Sequence, residues 1–360
     1  VTTSPPAPLD LMGSEAWRFA RFADYIAALQ AEQPAVNALP LVGHTTLRVG
    51  AMDELDRAAT AAEIGRMQAA LAEALEAGAA GLSTGVYYPP ARAATTSELV
   101  EVGRPLAGHG LVTMHIRDEA DAIDAALAEA LTGRSQHGRS RETLAMLERA
   151  AASQRVCIDC YPYAASSTVL LPERVAMSTD VQITWCRSEP AVAGRRLREL
   201  AAERGVAPEI LAAQLQPAGA IYFAMDEGDV ERILAHPLTM VGSDGLPHDA
   251  QPHPRLWGSF PRVLAHCARE RGLFDLETAV HKMTGLTARR FGLVDRGLVA
   301  PGAFADLVLF DAARVQDRAR FDEPQAAPDG IPWVVVNGHV AVAQGETVAL
   351  HAGRVLQRVH

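Results

Sequence analysis

Four polar side chains close apolar runs in this 360-residue chain: His44 after LVG, His115 after LVTM, Tyr161 after RVCIDC and Asp244 after LTMVGS. If each run is a strand of one parallel barrel, their carboxyl ends share a face, and that face hosts the active sites of such barrels. A neutral imidazole at a strand end, as at His115, makes a good zinc ligand; the alternative is a histidine bonded to a neighbouring loop. A carboxylate at a strand end, as at Asp244, can touch a metal, take a proton from water and later return it to a leaving amine. Its alternative is an Asx turn, which the pair Asp244-Gly245 favours.

Arg255 follows a proline-rich loop, PHPRLWG. Its guanidinium fork matches a carboxylate in a bidentate pair, although most loop arginines are simply solvated. Five of the six tyrosines (Tyr87, Tyr88, Tyr161, Tyr163 and Tyr222) fall at strand ends or in loops, where a phenol can bind a carboxylate or pack as an aromatic ring. Ser166-Ser167-Thr168 can meet a substrate or satisfy its own loop. His248 and His253 flank the proline-rich loop and read as surface residues. Cys157 and Cys160 have C-x-x-C spacing but lie on a predicted strand, which points them to opposite faces; both read as core residues. Neither a glycine-rich phosphate loop nor a G-x-S-x-G elbow occurs, which removes the nucleotide-binding and serine-hydrolase readings.

The elements that must position these residues alternate along the chain. A helical pattern from about Trp17 to Leu29 precedes the apolar run NALPLVG, and Thr60-Ala-Ala-Glu63 is a capping box opening a helix with Ile64, Met67, Leu71 and Leu75 on one face. AAGLSTG is the next strand, Thr95 to Glu98 caps the next helix, LVTMHI is a strand, and a helix is expected over 119–131. Strands alternating with helices predict a parallel sheet wrapped by helices. A second helix at 141–153 then follows without a strand between, a sequence of elements that a barrel cannot close, so one strand and its loop are expected to be absent near 133–138. RVCIDCY and LTMVGSD resume the alternation. Beyond residue 298 the runs FADLVLFD, PWVVVNG and HVAVAQG read as short strands, with Asn337-Gly338 as a hairpin turn.

Composition narrows the partners. A formal charge of −10 without a basic run argues against nucleic acid or an anionic membrane. Four cysteines are too few for a disulfide framework, so a cytoplasmic location is expected. No run of 18 apolar residues predicts a membrane span. The partner expected is a small-molecule substrate.

Taken in order, LVGHTTLR, GLSTGVYYPP, HIRDE, GRSRETL, DCYPYAASST, ITWC, QPAGAIYFAMDE, GSDGLPHDAQPHPRLWGSFPRVL, MTGLTARRFGL, RGLVAPGAFADLVLFD and VVVNG cover nearly the whole chain. Together they resemble the D-aminoacylases, the N-acyl-D-amino-acid deacylases of the amidohydrolase superfamily. The resemblance implies an α/β fold, a distorted TIM-like (β/α) barrel over 1–297 with a small β domain over 298–360. It implies zinc-dependent hydrolysis of N-acyl-D-amino acids to a D-amino acid and a carboxylate. His115 matches a zinc ligand of that family. Asp244 matches the general base and acid that also touches metal, Arg255 and Tyr161 match the holders of the substrate carboxylate, Ser167 and Tyr222 match their neighbours, and Tyr88 matches a further active-site tyrosine. Zinc in such a site lowers the pKa of its water and polarises the amide carbonyl.

The chain departs from the family in two places. The family's His-x-His pair and bridging cysteine would precede Val1, with the barrel's first strands, and its Ser-His-His-Lys strand would fall before GRSRETL. A catalytic zinc takes three protein ligands, and only His115 and Asp244 of the set are present. The expectation is a full-length enzyme of which these residues are a part. The alternatives are a deacylase narrowed to N-acyl-D-glutamate or N-acyl-D-aspartate, a cyclic-amide hydrolase, or a truncated, inactive relative that binds acyl amino acids.

Overall fold

The computed structural model describes residues 18–107, 110–117, 140–246, 249–349 and 351–358. The helix expected over 119–131 and the strand expected to be absent near 133–138 lie outside the described residues. The chain divides into two units, one built from Val1–Gln136, Thr284–Leu309 and Pro332–His360 and the other from His137–Met283 and Phe310–Ile331.

In the first unit β1 (Val42–Gly43), β2 (Gly81–Gly85) and β3 (Leu111–His115) form a parallel sheet in that order. Gly81 lets β2 and β3 approach, because a Cβ there would run into the backbone of Leu111. The capping box of Thr60 and Glu63 is present at the start of the helix Ala61–Glu76, whose Met67 and Leu71 are fully buried beside Val42, Leu82 and Val102. Each such side chain contributes roughly 1.5–3 kcal/mol relative to exposure. β1 stops after two residues, and His44 begins the helix His44–Ala51.

The second unit holds β4 (Ile158–Cys160), β5 (Ser166–Val169), β6 (Asp180–Cys186), β7 (Ala218–Phe223) and β8 (Thr239–Val241). β4 and β8 pair in parallel, while β5, β7 and β6 make an antiparallel sheet in that order. The alternating pattern of the sequence gives no hint of this second sheet. Five of the six residues of β7 are buried, so its apolar run carries no period of two. Leu170, Ile183, Leu200, Leu211 and Ala220 are completely buried or nearly so and pack in the core beneath it.

The strands of the described residues do not close a barrel. Among the described residues the parallel strands lie in two separate sheets, and β1, β4 and β8 contribute only two or three residues each, too few for a continuous ladder. The C-terminal strands do form a sheet: β9 (Leu307–Leu309), β10 (Trp333–Val336), β11 (His339–Ala343) and β12 (Glu346–Thr347), antiparallel in the order β12-β11-β10-β9. Asn337 and Gly338 turn the hairpin with φ of 51° and 83°, the left-handed backbone that a two-residue turn of this kind demands. Among the described residues no helix is long and apolar enough to cross a membrane.

Candidate active site

In the first unit His115 ends β3 opposite Gly85, the last residue of β2. The chain then turns so that two phenol rings lie against the imidazole. Tyr87 meets it edge-on with centroids 5.3 Å apart, and Tyr88 lies tilted by 31° at 5.4 Å. Gly85 makes room for the second ring, since a Cβ there would stand 3.0 Å from Tyr88 Cδ2. The loop that carries both tyrosines is held from behind. Arg48 Nε donates to the Pro90 carbonyl at 2.9 Å, and Arg117 Nη2 donates to that of Ala94 at 2.6 Å. Tyr88 is the tyrosine that the resemblance singles out, and Tyr87 lies equally close to His115.

His44 follows the end of β1, as expected, and is fully buried. Its Nδ1 lies 3.1 Å from Thr84 Oγ1 and its Nε2 lies 3.3 Å from Glu98 Oε1. Glu98 also accepts from the Ala59 N–H at 2.9 Å and pairs with the buried guanidinium of Arg48. Burial pushes the Glu98 carboxyl up, but the bonds from His44, Ala59 and Arg48 outweigh it and hold the group down at about 2. His44 thus belongs to a structural network that fastens the helix His44–Ala51 to its neighbours.

In the second unit Arg255 is the first residue of the helix Arg255–Arg262 and is 1% exposed. Its Nη2 donates to the Ser167 carbonyl at 3.1 Å and to Asp244 Oδ2 at 2.9 Å, and its Cζ lies 4.6 Å from the ring centroid of Tyr161. Four of the expected residues, Arg255, Asp244, Tyr161 and Ser167, are therefore brought together. Arg255 Nε and Ser167 Oγ are buried without a hydrogen-bond partner among the described residues. Buried polar atoms left without a bond cost roughly 1–3 kcal/mol each. Asp244 has φ of 47°, the left-handed backbone its Asp-Gly sequence favours, and its side chain is 61% exposed.

Tyr222 is placed apart from Arg255 and Ser167 by its register. It faces the core of the second unit, where its hydroxyl accepts from the Leu171 N–H at 2.6 Å and donates to the Val169 carbonyl at 2.8 Å. The reason is register: Tyr222 pairs with Ser166 across β5 and β7, and the period of two along β5 points Ser167 to the opposite face. His253 is not the surface residue expected, since it is 3% exposed. Its ring is enclosed by Tyr161, Tyr163 and Phe321. His248 lies outside the described residues. Cys157 and Cys160 are free thiols and form no disulfide, and burial, with the charge of Asp159, pushes Cys160 up to about 12.

Among the described residues no three histidine, cysteine, aspartate or glutamate side chains come together to hold a metal ion. His115 belongs to one unit and Asp244 to the other, and each is engaged, by tyrosine rings and by Arg255 respectively. By themselves the described residues do not fit a zinc ion, which needs three such ligands in a catalytic site.

Comparison with known proteins adds to this geometry. The amidohydrolase family matches residues 125–342. A D-aminoacylase of Alcaligenes xylosoxydans xylosoxydans is 52% identical over 374 residues, spanning 99% of this chain and 77% of that protein. An N-acyl-D-aspartate deacylase of the same organism is 51% identical over 371 residues, spanning 98% of this chain and 74% of the other. The crystal structure of an N-acyl-D-glutamate deacylase from Bordetella bronchiseptica, complexed with zinc and a phosphonate that mimics the tetrahedral intermediate, superimposes with a TM-score of 0.94 at 46% identity, covering 99% of this chain and 79% of that one. At these identities over nearly the full length, the chain belongs to the amidohydrolase family, in the group of the D-aminoacylases and N-acyl-D-amino-acid deacylases.

Proposed function

We propose that this protein hydrolyses the amide bond of N-acyl-D-amino acids, releasing a D-amino acid and a carboxylate, as a zinc-dependent cytoplasmic enzyme. The observation that carries the reading is the buried guanidinium of Arg255, whose Nε is unpartnered and whose Nη2 bonds to the backbone of Ser167, a residue with an unpartnered hydroxyl of its own. A carboxylate is a ligand that satisfies both a cation and a hydroxyl donor. In this reading Arg255 and Tyr161 hold the α-carboxylate of the substrate, with Ser167 beside them. Asp244 takes a proton from the attacking water and returns it to the leaving amine. By the resemblance, His115 and Asp244 would each offer a ligand to the metal, and Tyr88 would border the reacting end. The same proposal keeps 1–297 as a distorted TIM-like (β/α) barrel and 298–360 as a small β domain, supported by the likeness to the zinc-bound deacylase and by the sheet β9–β12.

A narrower second reading has support of its own, because relatives named for D-aspartate and D-glutamate substrates stand at 51% and 46% identity, close to the 52% of the D-aminoacylase. The test is chiral release of amino acid from the N-acetyl derivatives of D-methionine, L-methionine, D-aspartate and D-glutamate, with added zinc and an Asp244→Asn control. Release confined to the D-enantiomers and abolished by the control is the expected result. Release confined to the acidic substrates selects the narrower reading. Folded protein that releases nothing and retains no metal is the outcome expected of an inactive binding protein, and would overturn both.

A further inference from the structure

We infer that His253 is a positioning residue that sets the carboxylate clamp: it caps the helix at Arg255 and ties that helix to the strand carrying Ser167. The inference rests on the reading of Arg255 as the carboxylate holder. A helix leaves its first N–H groups without internal partners, and the N–H of Arg255 is one of them. It donates to His253 Nδ1 at 2.9 Å. On the other side of the ring, His253 Nε2 lies 3.0 Å from the Ala165 carbonyl. A backbone N–H only donates and a carbonyl only accepts, so Nδ1 is bare and Nε2 carries the proton. The two partners thereby fix one neutral tautomer. Burial first, then the charge of Arg255, depresses the imidazole to about 3 against the bond from Ala165, so the tautomer persists across neutral pH.

The geometry gives the latch its purpose. Ala165 precedes β5 by one residue, and the guanidinium of Arg255 reaches the same strand at Ser167. Arg255 is thus held twice to one segment, by its backbone through His253 and by its own Nη2. The His253 ring also packs on Tyr161, centroids 6.0 Å apart, and Tyr161 lies under the guanidinium. One side chain therefore touches the backbone of Arg255, the ring that supports its head group, and the strand that supplies the unfilled hydroxyl. Asn and Gln reproduce at most one of the two opposed bonds, because an amide reaches only one ring-nitrogen position at a time.

The test compares N-acetyl-D-methionine with its carboxamide, which lacks the charge the clamp recognises. In the wild-type protein, Arg255→Lys, His253→Gln and the double variant, the ratio of kcat/KM for acid over amide is the readout. The expected result is that His253→Gln lowers that ratio by about tenfold or more, chiefly through KM, and that the double variant falls little below Arg255→Lys alone, because coupled positions are not additive. A His253→Gln protein that loses stability or kcat with its acid preference intact overturns the inference and leaves a structural histidine. If instead Arg255→Lys leaves the preference unchanged, the clamp reading itself is wrong. Should His253→Gln not fold, nitrogen-15 NMR of the wild-type imidazole decides: a protonated Nε2 and bare Nδ1 from pH 5 to 8 is expected, and a proton on Nδ1 overturns the latch.

Discussion

Arg255 Nη2 donates to the carbonyl of Ser167 at 3.1 Å, a bond between residues 88 apart in the chain. It pins the guanidinium against β5 while leaving its Nε unfilled. Replacement by lysine keeps the charge and loses the fork, so two directions of bonding collapse to one. Bonds to charged groups contribute about 1.5–3 kcal/mol, so Arg255→Lys is expected to lower kcat/KM for N-acyl-D-amino acids by roughly 10- to 100-fold. Steady-state kinetics check this; an unchanged KM removes Arg255 from the substrate.

Ser167 makes the complementary prediction. Its hydroxyl is buried without a partner, so nothing in the unliganded protein is lost when it is removed. Ser167→Ala is expected to hold or raise stability, by up to about 1 kcal/mol, while raising KM. Denaturant midpoints and kinetics on one preparation test the pair of effects. A clear loss of stability would mean that the hydroxyl has a structural role.

Asp244 separates chemistry from folding in another way. Its side chain is 61% exposed, so the isosteric change Asp244→Asn keeps the packing and removes only the charge it shares with Arg255. A positioned base contributes typically about 10²–10⁴ in rate. The variant is therefore expected to fold as the wild type does, with turnover reduced by that factor. Residual activity within a few-fold of wild type would assign the proton transfer elsewhere.

The residues that were legible in the sequence are those whose reasons are local. Thr60 and Glu63 signal their capping box within four positions, and Asn337-Gly338 announces a hairpin because the turn itself demands left-handed backbone. Arg255 and Asp244 stood out by residue type and by family resemblance, and the structure brings them into contact. What the sequence hid is set by distant chain. His253 looks like a loop histidine until β5 and Phe321 enclose it, and Tyr222 looks like a strand-end phenol until the register of β5 against β7 turns it into the core. The antiparallel sheet went unseen because strands buried on both faces lose the alternation by which strands are read.

The network of Glu98, Arg48 and His44 predicts how the first unit responds to acid. Arg48 and Glu98 are essentially inaccessible, and a buried carboxylate that loses its charge leaves the guanidinium unpaired. Glu98 is held at about 2 in the folded chain against an ordinary value of 4.5. The unfolded chain therefore takes up this proton first as pH falls, and stability that is fully present above about 4.5 is lost progressively as pH drops towards about 2. In Glu98→Gln that contribution is missing at every pH. Removing one partner of a buried pair is expected to cost about 3–5 kcal/mol at neutral pH. Urea unfolding at a series of pH values between neutrality and pH 3 checks both parts: the variant starts lower and declines less steeply, since other paired carboxylates such as Glu63, held down by Arg57, still titrate. Parallel curves for variant and wild type would show that the Glu98 charge does not support the fold.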